Sequence, residues 1–397
     1  MIEIIIAILL GCIAGTITGI TPGVHLNLVS VLIISSASFL LSVTTGTMVS
    51  VFIIAMSILH TFTNAIPAVF LGAPEESTAL AVLPGHSLLL EGRGYEAVKL
   101  TLIGGLLGLI FVVLVLPLLI FIVPRVYSAI SDYIAFILIF ISAYLILRDK
   151  LKFWAFAIFM LAGIFGILTL NLPIKNPLFP LLSGLFGTST ILLSLKDKVN
   201  IPEQEIKCDD IPKKEITKAV GSGLFASILC GLLPGIGSAQ AAIVASSFSK
   251  EWSKRTWLIL VGSIDTIVMF LSIVGYYTIQ KARSGSIVAI SKLLKEFTLN
   301  DLILFVGVSL IVAFFAVVIT LTLAKFAAKL MSKINYTTIS IAILLLIVVL
   351  SFVLTGVTGF FILLISTSIG MLPALKGVGR NHAMGCLILP VILFFML

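Results

Sequence analysis

Charge is what this sequence has least of. Charged residues make up 11% of its 397 positions, against 60% hydrophobic, and the mean hydropathy is +1.26. A soluble domain carries about 25% charged residues, so this chain has too few to cover a water-facing surface and must face lipid. Alternation is missing as well. The runs Ile134 to Leu147 and Ile339 to Val353 are apolar throughout, which excludes membrane strands with a polar lumen face and leaves helices. The four cysteines, Cys12, Cys208, Cys230 and Cys386, match no metal spacing, and three sit in apolar segments, so they read as small packed side chains. There is no H-E-x-x-H, no G-x-S-x-G and no Walker loop, and four scattered histidines do not form a metal site. The chain therefore reads as a non-enzyme without a cofactor, and active transport through it would draw on an ion gradient, Na⁺ or H⁺, or on a partner.

A net charge of +8 could point to nucleic acid in a soluble protein. Here the basic residues fall in short loops, so membrane topology accounts for them and no nucleic acid is expected. The opening MIEIIIAILLG has no basic n-region and no small-residue cleavage site, and it reads as a retained helix. Together these features place the chain in the cell membrane as a multi-pass, all-α protein of about 10 to 14 membrane segments.

Self-similarity organises those segments. Residues 11–23, GCIAGTITGITPG, align with 223–235, GLFASILCGLLPG: Gly11, Gly19, Pro22 and Gly23 fall on Gly223, Gly231, Pro234 and Gly235. Weaker echoes follow in order, LAGIFG with LTGVTG and SGLFG with STSIG. Between the halves lies the one long hydrophilic stretch, Lys196 to Lys218. The expected organisation is a first transmembrane repeat at 1–195, a cytoplasmic linker at 196–215 and a second repeat at 216–397.

Each repeat opens with a hairpin broken at Pro-Gly, at about 2–42 and 216–249. In the first half a helix follows near 47–71, then a mixed segment at 75–95, then helices near 98–123, 129–147, 153–170 and 178–195. The second half has a helix near 256–277, a mixed segment at 280–296, then helices near 299–324, 336–353, 356–373 and 382–396. If each hairpin returns to the side it entered, 19 of the 25 basic residues share the linker's side, and Arg125, Lys175, Lys281, Arg283, Lys292 and Lys295 lie opposite. The richer side is then cytoplasmic. The first half crosses an odd number of times, so the second starts from the opposite face, which makes an inverted-topology repeat.

The broken hairpins carry the chemistry. Proline ends the incoming helix and suits the first turn of a new one, with Thr21 as its expected N-cap, while Gly23 leaves room for a ligand at the backbone. The new helix presents free N–H groups and a positive dipole end inside the membrane, where anions bind. Pro234, Gly235, Gly237 and Ser238 repeat the device, and Asn27 and Gln240 lie just beyond each break. A proline kink with glycines that pack helices is the plainer reading of either motif alone. In the next helix, His60, Thr61, Thr63 and Asn64 are polar groups in an apolar run, and Asp265 is an acid well inside the corresponding second-half helix. Such groups mark pathways. Thr63, Asn64 and Asp265 are the candidates for ion coupling, and His60 reads as a packing histidine. The segment from Gly72 to Gly94 fits a re-entrant element, and Arg93 and Arg283 are candidate anion contacts.

The opening G-x-x-x-G-x-x-P-G, the block LGAPEESTALAVLPGHSLLLEGRGYEAVKLTLIGGLLG and the second segment GLLPGIGSAQAAIVAS resemble the large membrane subunit of tripartite tricarboxylate transporters, the TctA-like family. The resemblance covers most of the chain, best over 8–110 and 223–250. It implies uptake of organic carboxylates driven by Na⁺ or H⁺, alongside a small membrane subunit and an extracytoplasmic binding protein. The chain is shorter than typical members, and GSIDTIVMFLSIVG stands where the family has a second A-P-E-x-x-N-N block.

Three functions compete: a secondary transporter (permease) for small organic anions working by alternating access, a translocator of polyprenyl phosphate or another anionic lipid on the same scaffold, and a non-transporting membrane scaffold or intramembrane enzyme. The chain could work with the family's partners or stand alone, and pairing as a homodimer is common among membrane transporters.

Overall fold

The computed structural model describes residues 2–21, 26–72, 81–174, 177–196, 202–231, 238–246, 252–282, 284–294, 296–331 and 336–397. Among them the protein is all-helical, with no strand. Seven helices are long and apolar enough to cross a membrane, or eight if the bent pair at Leu116–Ala129 and Ile134–Arg148 counts as one span. The remaining helices are shorter, except the 19-residue helix Lys213–Gly231, which is less apolar.

The first half begins with α1 (Ile2–Ile20), α2 (Leu26–Ser35) and α3 (Ala37–Val43). Helix α4 (Gly46–Thr63) follows, with Thr45 capping its N-terminus by accepting from Met48 N. Pro67 has no N–H to give, and the chain widens there into a π-turn over Pro67–Leu71. Next come α5 (Val82–Leu90), α6 (Gly94–Leu114), α7 (Leu116–Ile130), α8 (Ile134–Arg148) and α9 (Lys152–Leu170). The expected helix 98–123 is divided at Val115 because Pro117 suits the first turn of a new helix. Helices α10 (Leu178–Leu182) and α11 (Ser189–Lys196) flank a second π-turn, Ser183–Thr188.

The second half holds α12 (Lys213–Gly231), α13 (Ser238–Ser246), α14 (Lys254–Ile279), α15 (Gly285–Leu293), α16 (Leu299–Met331), α17 (Tyr336–Lys376) and α18 (Gly385–Met396). Ser253 caps α14 as Thr45 caps α4. Helix α17 is interrupted at Gly356, whose φ of 68° and ψ of −161° are open to glycine alone, so two helices meet where 336–353 and 356–373 were expected.

Small residues set the packing. Gly11, Gly15 and Gly19 of α1 lie against Phe52–Ala55, Met56–Leu59 and His60–Thr63 of α4 in turn. The contacts advance together, so α1 and α4 run parallel and residues 21–45 return the chain to its starting side. In the second half, Glu215 accepts from Thr256, and Gly223 lies against Leu260, Ser263 and Ile264, so α12 and α14 are parallel too. Both hairpins therefore return, as expected.

The halves are interleaved. Helix α6 packs on α14, and α4 packs on α16. At the α6–α14 seam, a methyl on Gly104 would strike the Ile259 carbonyl and one on Gly262 the Thr101 carbonyl. A second group of helices also draws on both halves: α8, α9, α10 and α11 pack with α17 and α18. There the echoed segments face each other. Ser366 of STSIG donates to Pro180 O at 3.0 Å, and the hydroxyls of Thr188 and Thr367 are hydrogen-bonded.

At the helix ends, Arg93 and Arg255 meet Asp209, Asp149 meets His382, and Lys281 meets Tyr127.

Candidate substrate and ion site

The site begins with the helix that each hairpin tip reaches. Helix α1 ends beside the C-terminal turn of α4: Thr63 Oγ1 donates to Leu59 O at 3.0 Å and lies 3.3 Å from Gly15 O. His60 Nδ1 is 3.0 Å from Thr18 Oγ1, which itself donates to Gly15 O. His60 is thus a buried packing histidine tying α4 to α1, as read from the sequence. Asn64 follows Thr63 at the end of α4 and is 3% exposed.

The second half brings its acid to the same place. Asp265, 9% exposed, lies midway along α14. Its Oδ2 accepts from Asn64 Nδ2 at 3.5 Å, and its Oδ1 accepts from Ser238 Oγ at 3.3 Å. Ser238 is the first residue of α13, the outgoing arm of the second hairpin. The structure thus brings two predicted site residues, Asn64 and Ser238, one from each half, to the buried carboxylate of a third, Asp265. Thr63 sits one residue from Asn64, with its hydroxyl committed to backbone carbonyls.

A carboxylate away from water is costly unless neutralised. The hydroxyl and amide that approach Asp265 at 3.3 and 3.5 Å are neutral donors at long range. A buried carboxylate beside a serine hydroxyl offers oxygen atoms to a cation such as Na⁺, and a proton would also neutralise it.

Other predicted residues fall elsewhere. Thr21 was expected to open α2 as an N-cap; its hydroxyl instead donates backwards to Ile17 O at 2.7 Å and closes α1, because a hydroxyl in the last helical turn finds the carbonyl four residues earlier within reach. Asn27 and Gln240 stand in the first turns of α2 and α13. Pro22, Gly23, Pro234, Gly235, Gly237 and Arg283 lie outside the described residues.

Arg93 is not brought to Asp265. Its guanidinium pairs with Glu96 at 2.6 Å and with Asp209 at 2.7 Å. Glu96, 2% exposed, also contacts Arg255 Nε at 2.7 Å. Arg255 precedes Asp265 by ten residues, about 15 Å along α14. The pairing with Glu96 raises the affinity of Arg93 for its proton above the ordinary value, so its charge is spoken for.

Nothing in the residue pattern pointed to this network or to the way the linker joins it. Gln204 is buried, accepts from Gly94 N at 2.9 Å and donates to Leu89 O at 3.0 Å. Glu205 N donates to Gly92 O at 2.8 Å. Part of the hydrophilic stretch is thus a strap laid on the α5–α6 turn. Only the repeated glycines around Arg93 could have hinted at a backbone approached so closely. Ser57 and Ser286, hydrogen-bonded at 2.7 Å between α4 and α15, are a further cross-half contact that single serines in apolar helices did not announce.

Comparison with known proteins agrees with the motifs. The family model described as the tripartite tricarboxylate transporter TctA family matches residues 5–385. An uncharacterized protein of Methanocaldococcus jannaschii is 31% identical over 403 residues, covering 98% of each chain. No solved structure matches. The fold is that of a multi-pass integral protein of the cell membrane, and the family is one of transporter components working in a three-part system. With its model spanning nearly the whole sequence, the chain belongs to the tripartite tricarboxylate transporter TctA family.

Proposed function

We propose that the chain is the membrane permease of an ion-coupled uptake system for organic carboxylates, working by alternating access between two inverted halves, 1–195 and 216–397. The observation that carries this reading is the buried cluster of Asn64, Asp265 and Ser238, contributed by both halves. Substrate carboxylate would be held by the amide ends that follow Pro22 and Pro234, with Asn27 and Gln240 beside them. Asp265, Asn64 and the neighbouring carbonyls would take Na⁺ or H⁺.

Heights along the helices support the inversion. Asn64 lies 18 residues from the start of α4, about 27 Å, and Asp265 lies 11 residues from the start of α14, about 17 Å. Started from opposite faces, the two distances add to about 44 Å, close to the thickness of a bilayer with its headgroups. Started from one face, they would differ by about 10 Å in height, which a 3.5 Å contact does not allow in upright helices. Helix α4 begins against Leu293, near the end of α14 where Tyr276 and Tyr277 pack on Phe297. Helix α14 begins at the far end, where Lys254 pairs with Glu91.

The family implies a small membrane subunit and an extracytoplasmic binding protein, and both belong in the test. Proteoliposomes containing the chain and those partners should take up labelled tricarboxylate when a Na⁺ or proton gradient is imposed. Asp265→Asn should abolish gradient-driven uptake while leaving the protein folded. Binding without flux under either gradient would refute the transport reading.

A further inference from the structure

Two groups of basic residues at helix ends differ in electrostatic character. Around α5, α6 and α14, three cations meet acids: Arg93 and Arg255 meet Glu96, Arg93 also meets Asp209, and Lys254 meets Glu91. The other group lies at the meeting of the α8–α9 turn with the stretch between α17 and α18. Asp149 draws the two segments together by accepting from Gly379 N at 3.2 Å and pairing with His382 Nε2 at 3.0 Å. Lys376 Nζ stands 4.2 Å from the centre of the Trp154 ring. Arg380 donates to Thr190 on α11.

These contacts concentrate Arg148, Lys150, Lys152, Lys376 and Arg380 in one place, with contributions from both halves. The one carboxylate there, Asp149, is already engaged by Leu151 N, Gly379 N and His382, which hold it below its ordinary range even though burial pushes it up. Among the described residues, none of the five cations has a carboxylate within 4 Å. Positive charge crowded without acids is unfavourable unless an external anion completes it. Directly beside the cations, Leu151, Phe153, Trp154 and Leu375 expose apolar surface. An aromatic side chain under a lysine at the end of a membrane helix is an arrangement suited to the headgroup level of a bilayer. A soluble anion would use the charges and leave the apolar rim idle. A phospholipid uses both.

We propose that Lys150, Lys152, Lys376 and Arg380 form a binding site for the phosphate-bearing headgroup of an anionic phospholipid, whose acyl chains lie along Phe153, Trp154 and Leu375. The lipid would bridge α9 of the first half to the α17–α18 turn of the second. The site is separate from the Asp265 cluster, and its test does not depend on transport.

The full chain, purified in detergent, is titrated with phosphatidylglycerol, phosphatidylcholine or inorganic phosphate, and bound lipid and melting temperature are read by native mass spectrometry and thermal unfolding. Phosphatidylglycerol should be retained and should raise the melting temperature, with phosphatidylcholine and inorganic phosphate ineffective. Removing a cation near an anionic headgroup weakens binding by about fivefold, so Lys376→Gln/Arg380→Gln should weaken retention by about 25-fold. Lys150→Gln/Lys152→Gln alters only exposed side chains and should act similarly, which guards against a folding defect at Arg380. Equal retention of the two lipids would overturn the proposal. So would equal stabilisation by inorganic phosphate, or the same loss in the charge-matched Lys213→Gln/Lys214→Gln on α12.

Discussion

Two carboxylates are buried along the α6–α14 seam, and they are treated in opposite ways. Glu96 lies between two guanidinium groups and beneath the linker, a fully answered charge. Asp265, a few turns along α14, is approached by a hydroxyl and an amide at the long end of hydrogen-bonding range. Burial costs both side chains the water that stabilises their charge. The first recovers this from two fixed guanidinium groups and so acts as a rivet. The contacts that Asn64 and Ser238 make to Asp265 come from groups without charge. The difference separates structure from function more clearly than the mere presence of an acid in a membrane helix.

Neutralising each carboxylate sharpens the contrast. Asp265→Asn should abolish gradient-driven uptake in proteoliposomes with little change in melting temperature, since an amide can still bond Ser238 and Asn64. Glu96→Ala should do the reverse. Leaving Arg93 and Arg255 without their shared partner should cost up to about 3–5 kcal/mol, the upper end applying only where the guanidinium groups are fully desolvated, and the loss would appear as a lower melting temperature. If Glu96→Ala melted normally while Asp265→Asn unfolded, the assignment of roles would be inverted.

The seam between the two acids should be sensitive in its own right. Gly262→Ala places a methyl against the Thr101 carbonyl and should destabilise by about 1–3 kcal/mol. Gly221→Ala, where a methyl meets nothing within 4 Å, is its control in the thermal melt. The smallest effect is expected from Lys254→Ala, which breaks a solvent-facing pair worth about 0–1 kcal/mol. The hydrogen bond from Lys254 holds Glu91 below the ordinary carboxylate range, so the pair stabilises above that range and its contribution fades as pH falls through the lowered value. Wild type and Lys254→Ala should differ slightly at neutral pH and converge below about pH 4 in melts.

Much of this architecture was legible from residues alone. The glycine-rich openings of both halves announced helices in close contact, and the structure seats Gly11, Gly15 and Gly19 on α4 in that order. Asp265 and Asn64 stood out because polar groups are expensive in apolar helices, and they meet across the halves. The fate of Arg93 was hidden because Asp209, its second partner, and Arg255, which shares Glu96 with it, are distant in sequence and leave no local pattern. The split at Val115 was missed because hydrophobicity runs on unbroken through Pro117. The strap at Gln204 escaped notice because a glutamine among charges looks like any solvated residue.

The tight α6–α14 seam has a consequence for biosynthesis. The chain is made from its N-terminus, so α6 enters the bilayer well before its partner, residues 254–279, exists. During that interval the small-residue face formed by Thr101, Gly104 and Gly108 lacks the residues of α14 that close on it in the finished chain. A nascent first half therefore waits as an incomplete surface, and synthesis of α14 is the event that closes it.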